Sequence, residues 1–86
     1  MKKPYDEDNL AKLFMPAVLR RYRDAAGMSQ QQLADSVGIA KSYISAPELG
    51  YRAPSINLLV KIAYALSTRP GELVDAMVEA AEETMR

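Results

Sequence analysis

The chain contains no cysteine, so neither a disulfide framework nor a thiolate zinc site can form. Histidine is absent as well, which removes the commonest general base and the commonest metal ligand. No apolar run approaches the ~18 residues needed to cross a bilayer. The opening MKKPYDEDN has two lysines, then proline and three acids, with no apolar signal-peptide core behind them. A cytoplasmic protein without membrane contact is the expectation. Catalysis, a metal and a cofactor are all expected to be absent, because the remaining carboxylates scatter over predicted exposed helix faces.

What remains is a short chain of 86 residues, 49% of them apolar. That is enough for one small domain with a compact core and too apolar for wholesale disorder. Net charge is zero, but its distribution is uneven. Residues 16–52 carry Arg20, Arg21, Arg23, Lys41 and Arg52 against Asp24, Asp35 and Glu48. Beyond them, Glu72, Asp75, Glu79, Glu82 and Glu83 outnumber the basic residues. The middle is mildly basic and the tail acidic, the tail reading as a solvated helix face.

No segment alternates for long, and helical spacing recurs instead. Leu10, Leu13, Phe14, Val18, Leu19, Tyr22, Ala25 and Ala26 form a stripe ending at Gly27. Pro16 lies inside it and should either kink one long helix or open a second. Ser29 followed by Gln32 has the capping-box spacing. A helix through Leu33, Ala34 and Val37 then stops at Gly38. A third runs from about Lys41 to near Gly50. Pro54-Ser55 opens a fourth, with Ile56, Leu59, Ile62, Ala63 and Leu66 as its stripe. Pro70 starts the last, with Glu72 near its positive end. The expected fold is all-α and compact, with five helices.

The two short helices around Gly38-Ile39-Ala40 have the form of a helix-turn-helix unit. Ala34 lets the second helix cross close to the first, and Gly38 permits a left-handed turn. Leu33, Val37 and Ile44 point inward and set the crossing. Such a crossing leaves the N-terminus of the second helix free to enter a DNA major groove.

The run RYRDAAGMSQQQLADSVGIAKSYISAPELGYRAPSINLLVKIAYAL resembles the lambda-repressor/Cro family, also called XRE. The shared pattern is Arg, then Gly-x-Ser-Gln-x-x-Leu-Ala, Gly, Ile-Ser, Glu-x-Gly, Pro-Ser and an Ala-x-x-Leu helix, and it extends over about Val18 to Leu73. The resemblance implies a sequence-specific regulator of transcription that binds double-stranded DNA as a homodimer. Short phage-type repressors and restriction-modification controller proteins are the members it is most like, acting by occupying an operator. It implies that Gln30 holds a phosphate, that Lys41, Ser42, Ser45 and Ala46 face bases, and that Tyr43, Tyr51 and Arg52 touch the DNA backbone. It also implies an internal ion pair between Arg23 and Glu48. Residues 1–15 then read as an N-terminal extension or the start of the first helix, and residues 16–75 as the DNA-binding domain. Residues 76–86 read as a C-terminal helical extension and candidate dimer contact.

Four positions depart from the family pattern. Pro47 replaces a large apolar residue, and in a helix interior proline costs ~3 kcal/mol. It should kink the recognition helix or end it about a turn early. Ala46 replaces a long polar reader and can make only an apolar contact, such as one to a thymine methyl. Ala40 replaces the usual cap, a loss of ~1 kcal/mol. Leu49 stands where a polar residue is common. Lys41 is left as the one long base-reading side chain, so modest affinity or altered specificity is expected. Val78, Ala81 and Met85 lie far along the last helix and are expected to need a partner to cover them, with the N-terminal extension through Phe14 as the other candidate surface. The competing reading is an antitoxin, in which the same fold grips a toxin. Its sequence mark is a disordered toxin-binding tail, for which the charged N-terminus is the candidate segment.

Overall fold

A computed structural model of the chain describes residues 6–84. After a 3-10 turn at Glu7–Asn9 come α1 (Leu10–Ala25), α2 (Gln30–Val37), α3 (Ser42–Glu48), α4 (Ile56–Ala65) and α5 (Pro70–Thr84). No strand occurs among the described residues, and the all-α, five-helix expectation holds. None of these helices is long and apolar enough to cross a membrane.

Helix boundaries follow local chemistry. Ser29 and Gln32 form the full capping box at the start of α2, with bonds of 3.0 and 2.8 Å. Ser55 caps α4 by accepting from the Leu58 amide at 3.1 Å. At the end of α2, Gly38 turns left-handed at φ +83°. Its amide reaches the Asp35 carbonyl and the Ile39 amide reaches the Ala34 carbonyl, a Schellman closure. The same closure ends α4, where the left-handed residue is Ser67, at φ 57°. There the Ser67 and Thr68 amides bond Tyr64 and Ala63. In this conformation the β-carbon of serine crowds a backbone carbonyl oxygen, a contact that glycine would avoid.

Pro16 does not split the first helix. Residues Leu10–Ala25 form one continuous α1 with Pro16 inside it. Packing offsets the lost hydrogen bond, since Met15, Val18 and Leu19 from the same helix are buried.

The core draws on every helix. Leu33 and Ala34 of α2, Ile44 of α3, Leu59, Ile62 and Ala63 of α4, and Leu73, Ala76 and Met77 of α5 close around α1. α1 lies along α5 and also meets α3, while α2 packs on α3 and α4. This arrangement corrects one expectation about the tail. Ala81 is fully buried, and Val78 is packed on the core, with no partner present. α1 runs along α5, and Leu10, Ala11 and Phe14 of its first turns pack against the core cluster. Met85 lies outside the described residues.

Candidate DNA interface

The α3 helix is divided lengthwise. Ile44, Pro47 and Glu48 face inward and are buried, at the i, i+3, i+4 spacing of one helix face. Lys41, Ser42 and Tyr43 are exposed, and Ser45 and Ala46 half-buried. Pro47 does not end the helix a turn early, because α3 continues to Glu48. Its ring is buried in the place of the large apolar residue of the family pattern. The end of α3 is then held by other bonds. The Leu49 amide reaches the Ser45 carbonyl at 2.9 Å, and those of Gly50 and Tyr51 reach Pro47 and Ala46 at 3.2 and 3.0 Å. Gly50 has φ +80°, and a β-carbon there would lie 3.7 Å from the Lys12 carbonyl and 3.8 Å from the Pro16 ring. Those are ordinary contacts, so the backbone conformation rather than lack of space calls for glycine.

Glu48 is the buried anchor of this helix, 2% exposed. Arg23 of α1 donates to it from Nε to Oε2 at 2.7 Å and from Nη2 to Oε1 at 2.9 Å, a bidentate fork. The third guanidinium nitrogen donates to the Met28 carbonyl at 2.8 Å. A single side chain thereby ties the end of α1, the loop before α2 and the end of α3. Burial alone would push the Glu48 carboxyl up. The hydrogen bonds from Arg23 and Gln30 and the charges of Arg23 and Arg20 together outweigh burial and hold it below the ordinary carboxylate value. The expected internal ion pair is therefore present.

Two residues of this cluster make contacts that the sequence reading does not include. Gln30, expected at a phosphate, donates its amide to Glu48 Oε1 at 3.0 Å. Arg20, counted only as a basic residue, donates to the Glu48 backbone carbonyl at 2.9 Å. It caps the C-terminal end of α3, where a cation is favoured. No local pattern marks Arg20 for this; the family resemblance offers a partner only for Arg23.

The outward residues lie together. Ser42, Tyr43, Ala46 and Arg52 line one surface depression of about 240 Å³. The small side chain at Ala46 leaves this hollow open. Tyr51 is 72% exposed, and Lys41 and Arg52 are exposed as well. Lys41 takes the N-cap position of α3 with helical backbone angles and no side-chain cap bond, one residue after Ala40, the cap position read from the sequence. Leu49 is exposed. Among the described residues no group of histidine, cysteine or carboxylate side chains is arranged to hold a metal ion.

This crossed helix pair, with a locked inner face and an open outer one, is the form of a helix-turn-helix protein. A helix-turn-helix family model matches residues 19–73. The HTH-type transcriptional regulator SlrR of Bacillus subtilis (strain 168) is 40% identical over 60 residues, covering 69% of this chain and 40% of SlrR. This chain thus spans well under half the length of that relative. Control protein C.BamHI of Bacillus amyloliquefaciens is 34% identical over 68 residues, which is 79% of this chain and 84% of C.BamHI. The crystal structure of the restriction-modification controller protein C.AhdI from Aeromonas hydrophila aligns with TM-score 0.67 at 38% identity, over 77% of this chain and 97% of that one. The chain belongs to the helix-turn-helix family, in its lambda-repressor/Cro (XRE) branch.

Proposed function

We propose that the protein is a DNA-binding regulator of transcription, a repressor that occupies its operator with α3 in the major groove. The observation that carries this reading is the lengthwise division of α3. Its inner face is fastened by Glu48, Arg23 and Arg20, while Lys41, Ser42 and Tyr43 are left to solvent. A reading helix must be rigid on one side and bare on the other.

Within that frame Lys41 is the long reader, suited to guanine O6 and N7. Ser42 and Ser45 add short hydrogen bonds, and Ala46 meets a thymine methyl. Tyr43, Tyr51 and Arg52 hold phosphates around the depression, and Gln30 does so from the start of α2, its side chain oriented by Glu48. Phosphate contacts fix register while the α3 side chains carry sequence information. Residues 16–75 act as the DNA-binding domain, residues 1–15 as an N-terminal extension and residues 76–86 as a C-terminal extension. The protein works in the cytoplasm as a homodimer, because two copies read half-sites about one DNA turn apart. The similarity to C.BamHI over 84% of that protein supports a DNA-binding regulator on this domain.

The test is a binding titration on duplex DNA across a salt series. Binding should weaken steeply with salt, since each neutralised phosphate releases counterions. Lys41→Ala combined with Ser42→Ala should weaken specific binding at least about tenfold with an unchanged melting temperature. Unchanged affinity of that variant would remove α3 as the reading helix, and a flat salt dependence would point to a protein partner.

A further inference from the structure

Ala46 stands where the family pattern has a long polar reader, and the room such a side chain would use is open. It forms the hollow of about 240 Å³ bounded by Ser42, Tyr43, Ala46 and Arg52. Ser42 and Ala46 lie one turn apart on α3 and so share a helix face. Arg52 comes from the loop beyond Gly50. These residues offer two kinds of surface. The Ala46 methyl, the Tyr43 ring and the methylene stem of Arg52 are apolar, while the hydroxyls of Ser42 and Tyr43 and the guanidinium are polar tips.

The position of the hollow selects its occupant. With α3 in the major groove, Ser42 and Ala46 face base edges, and Tyr43 and Arg52 face the sugar–phosphate chain. The hollow between them then lies over the margin where bases meet their own backbone. The group a pyrimidine projects there is its C5 substituent, a methyl in thymine and in 5-methylcytosine but a hydrogen in cytosine. We infer that the hollow is a binding site for the C5 methyl of one pyrimidine in each half-site, taking thymine or 5-methylcytosine and rejecting the unmethylated ring. This rests on the DNA-binding reading and extends it from base sequence to base methylation. Alanine has no polar group with which to tell thymine from 5-methylcytosine, so it responds to the methyl alone. The Ser42 hydroxyl both donates and accepts, which suits thymine O4 and the cytosine amino group equally. The hollow is several times the ~30 Å³ of a water molecule, so the methyl enters together with the ring edge that carries it.

The experiment titrates the full chain with the duplex it selects from a random pool. Replacing each thymine of that duplex in turn by deoxyuridine removes only the C5 methyl. One position in each half-site loses about fourfold in affinity, the effect of burying one methyl group. At that position a C·G pair binds more weakly than T·A, and 5-methylcytosine in place of the cytosine restores about fourfold. These comparisons use the wild-type chain and need no variant. Ala46→Gln spans the hollow and should erase both methyl effects while the protein stays folded. A duplex in which no thymine responds to deoxyuridine would overturn the proposal. So would 5-methylcytosine that binds no better than cytosine, or methyl effects that persist in folded Ala46→Gln. Each of those results, obtained with sequence-specific binding intact, leaves the DNA-binding reading standing. A chain that enriches no duplex removes that reading and this site with it.

Discussion

Glu48→Gln tests the anchor of α3 with almost no change of shape. The substitution removes the buried counter-charge of the Arg23 guanidinium, whose side chain is 12% exposed, leaving it only the exposed Asp24 carboxylate at 3.3 Å, and replaces two ion-pair hydrogen bonds by one from the guanidinium to a neutral amide oxygen. Breaking a buried ion pair by removing one partner costs about 3–5 kcal/mol. Glutamine still accepts one bond, so the lower end, about 3 kcal/mol, is expected. A domain of this size holds roughly 4–13 kcal/mol in all, and the loss should lower the melting temperature by roughly 12–24 °C. The effect also has a pH signature. Glu48 titrates below its ordinary value in the fold, so its contribution is fully present above the unfolded carboxylate value. It is lost as pH falls through the folded value. The gap between wild type and Glu48→Gln is therefore wide at neutral pH and closes in acid. Circular dichroism melts of both proteins from neutral pH into strong acid read it directly. A neutral-pH gap under ~1 kcal/mol, or one that does not narrow in acid, would refute the reasoning. Replacing both partners by leucine should recover only part of the loss, because the Gln30 amide and the Met28 carbonyl lose their partners too.

Other outcomes follow from single features. Ser67→Gly relieves a left-handed serine and should raise stability by up to ~1 kcal/mol, less what the unfolded chain gains in freedom; chemical denaturation reads it, and a loss of stability would contradict the strain. Ala81→Lys places an unpaired charge where the residue is fully buried by its own chain. It should unfold the protein at every concentration, whereas a concentration-dependent loss would mean that a partner supplies the cover. Arg52→Ala should weaken binding to all DNA sequences by a similar factor and lower the slope of log affinity against log salt by ~1. A change confined to one base position would assign Arg52 to reading instead.

How much can be read from the chain depends on how local each feature is. The capping box at Ser29, the left-handed Gly38 and the α5 start at Pro70 are decided within a few residues, and all stand as the sequence reads. The Arg23–Glu48 pair spans 25 positions and is legible only through the family resemblance. Features set by packing are less accessible. Pro16 is compatible with two readings, and burial of Met15, Val18 and Leu19 favours the single helix. Pro47 reads as a helix breaker because propensity describes an isolated helix, whereas here its ring fills part of the core and Arg20 holds the carbonyl of the next residue. Ala81 and Val78 read as needing a partner because nothing in the pattern of α5 reveals that α1 lies along it. Ser67 carries no mark of its left-handed conformation, which the closure of α4 imposes.

The central claim is that the open face of α3 reads DNA. Selection of bound duplexes from a random pool, repeated with Lys41→Ala, tests it most directly. The account predicts enrichment of a two-fold symmetric sequence with half-sites about one turn apart, and loss of preference at one base pair in each half-site for the variant. A pool without enrichment, or the same enriched sequence for both proteins, would contradict it.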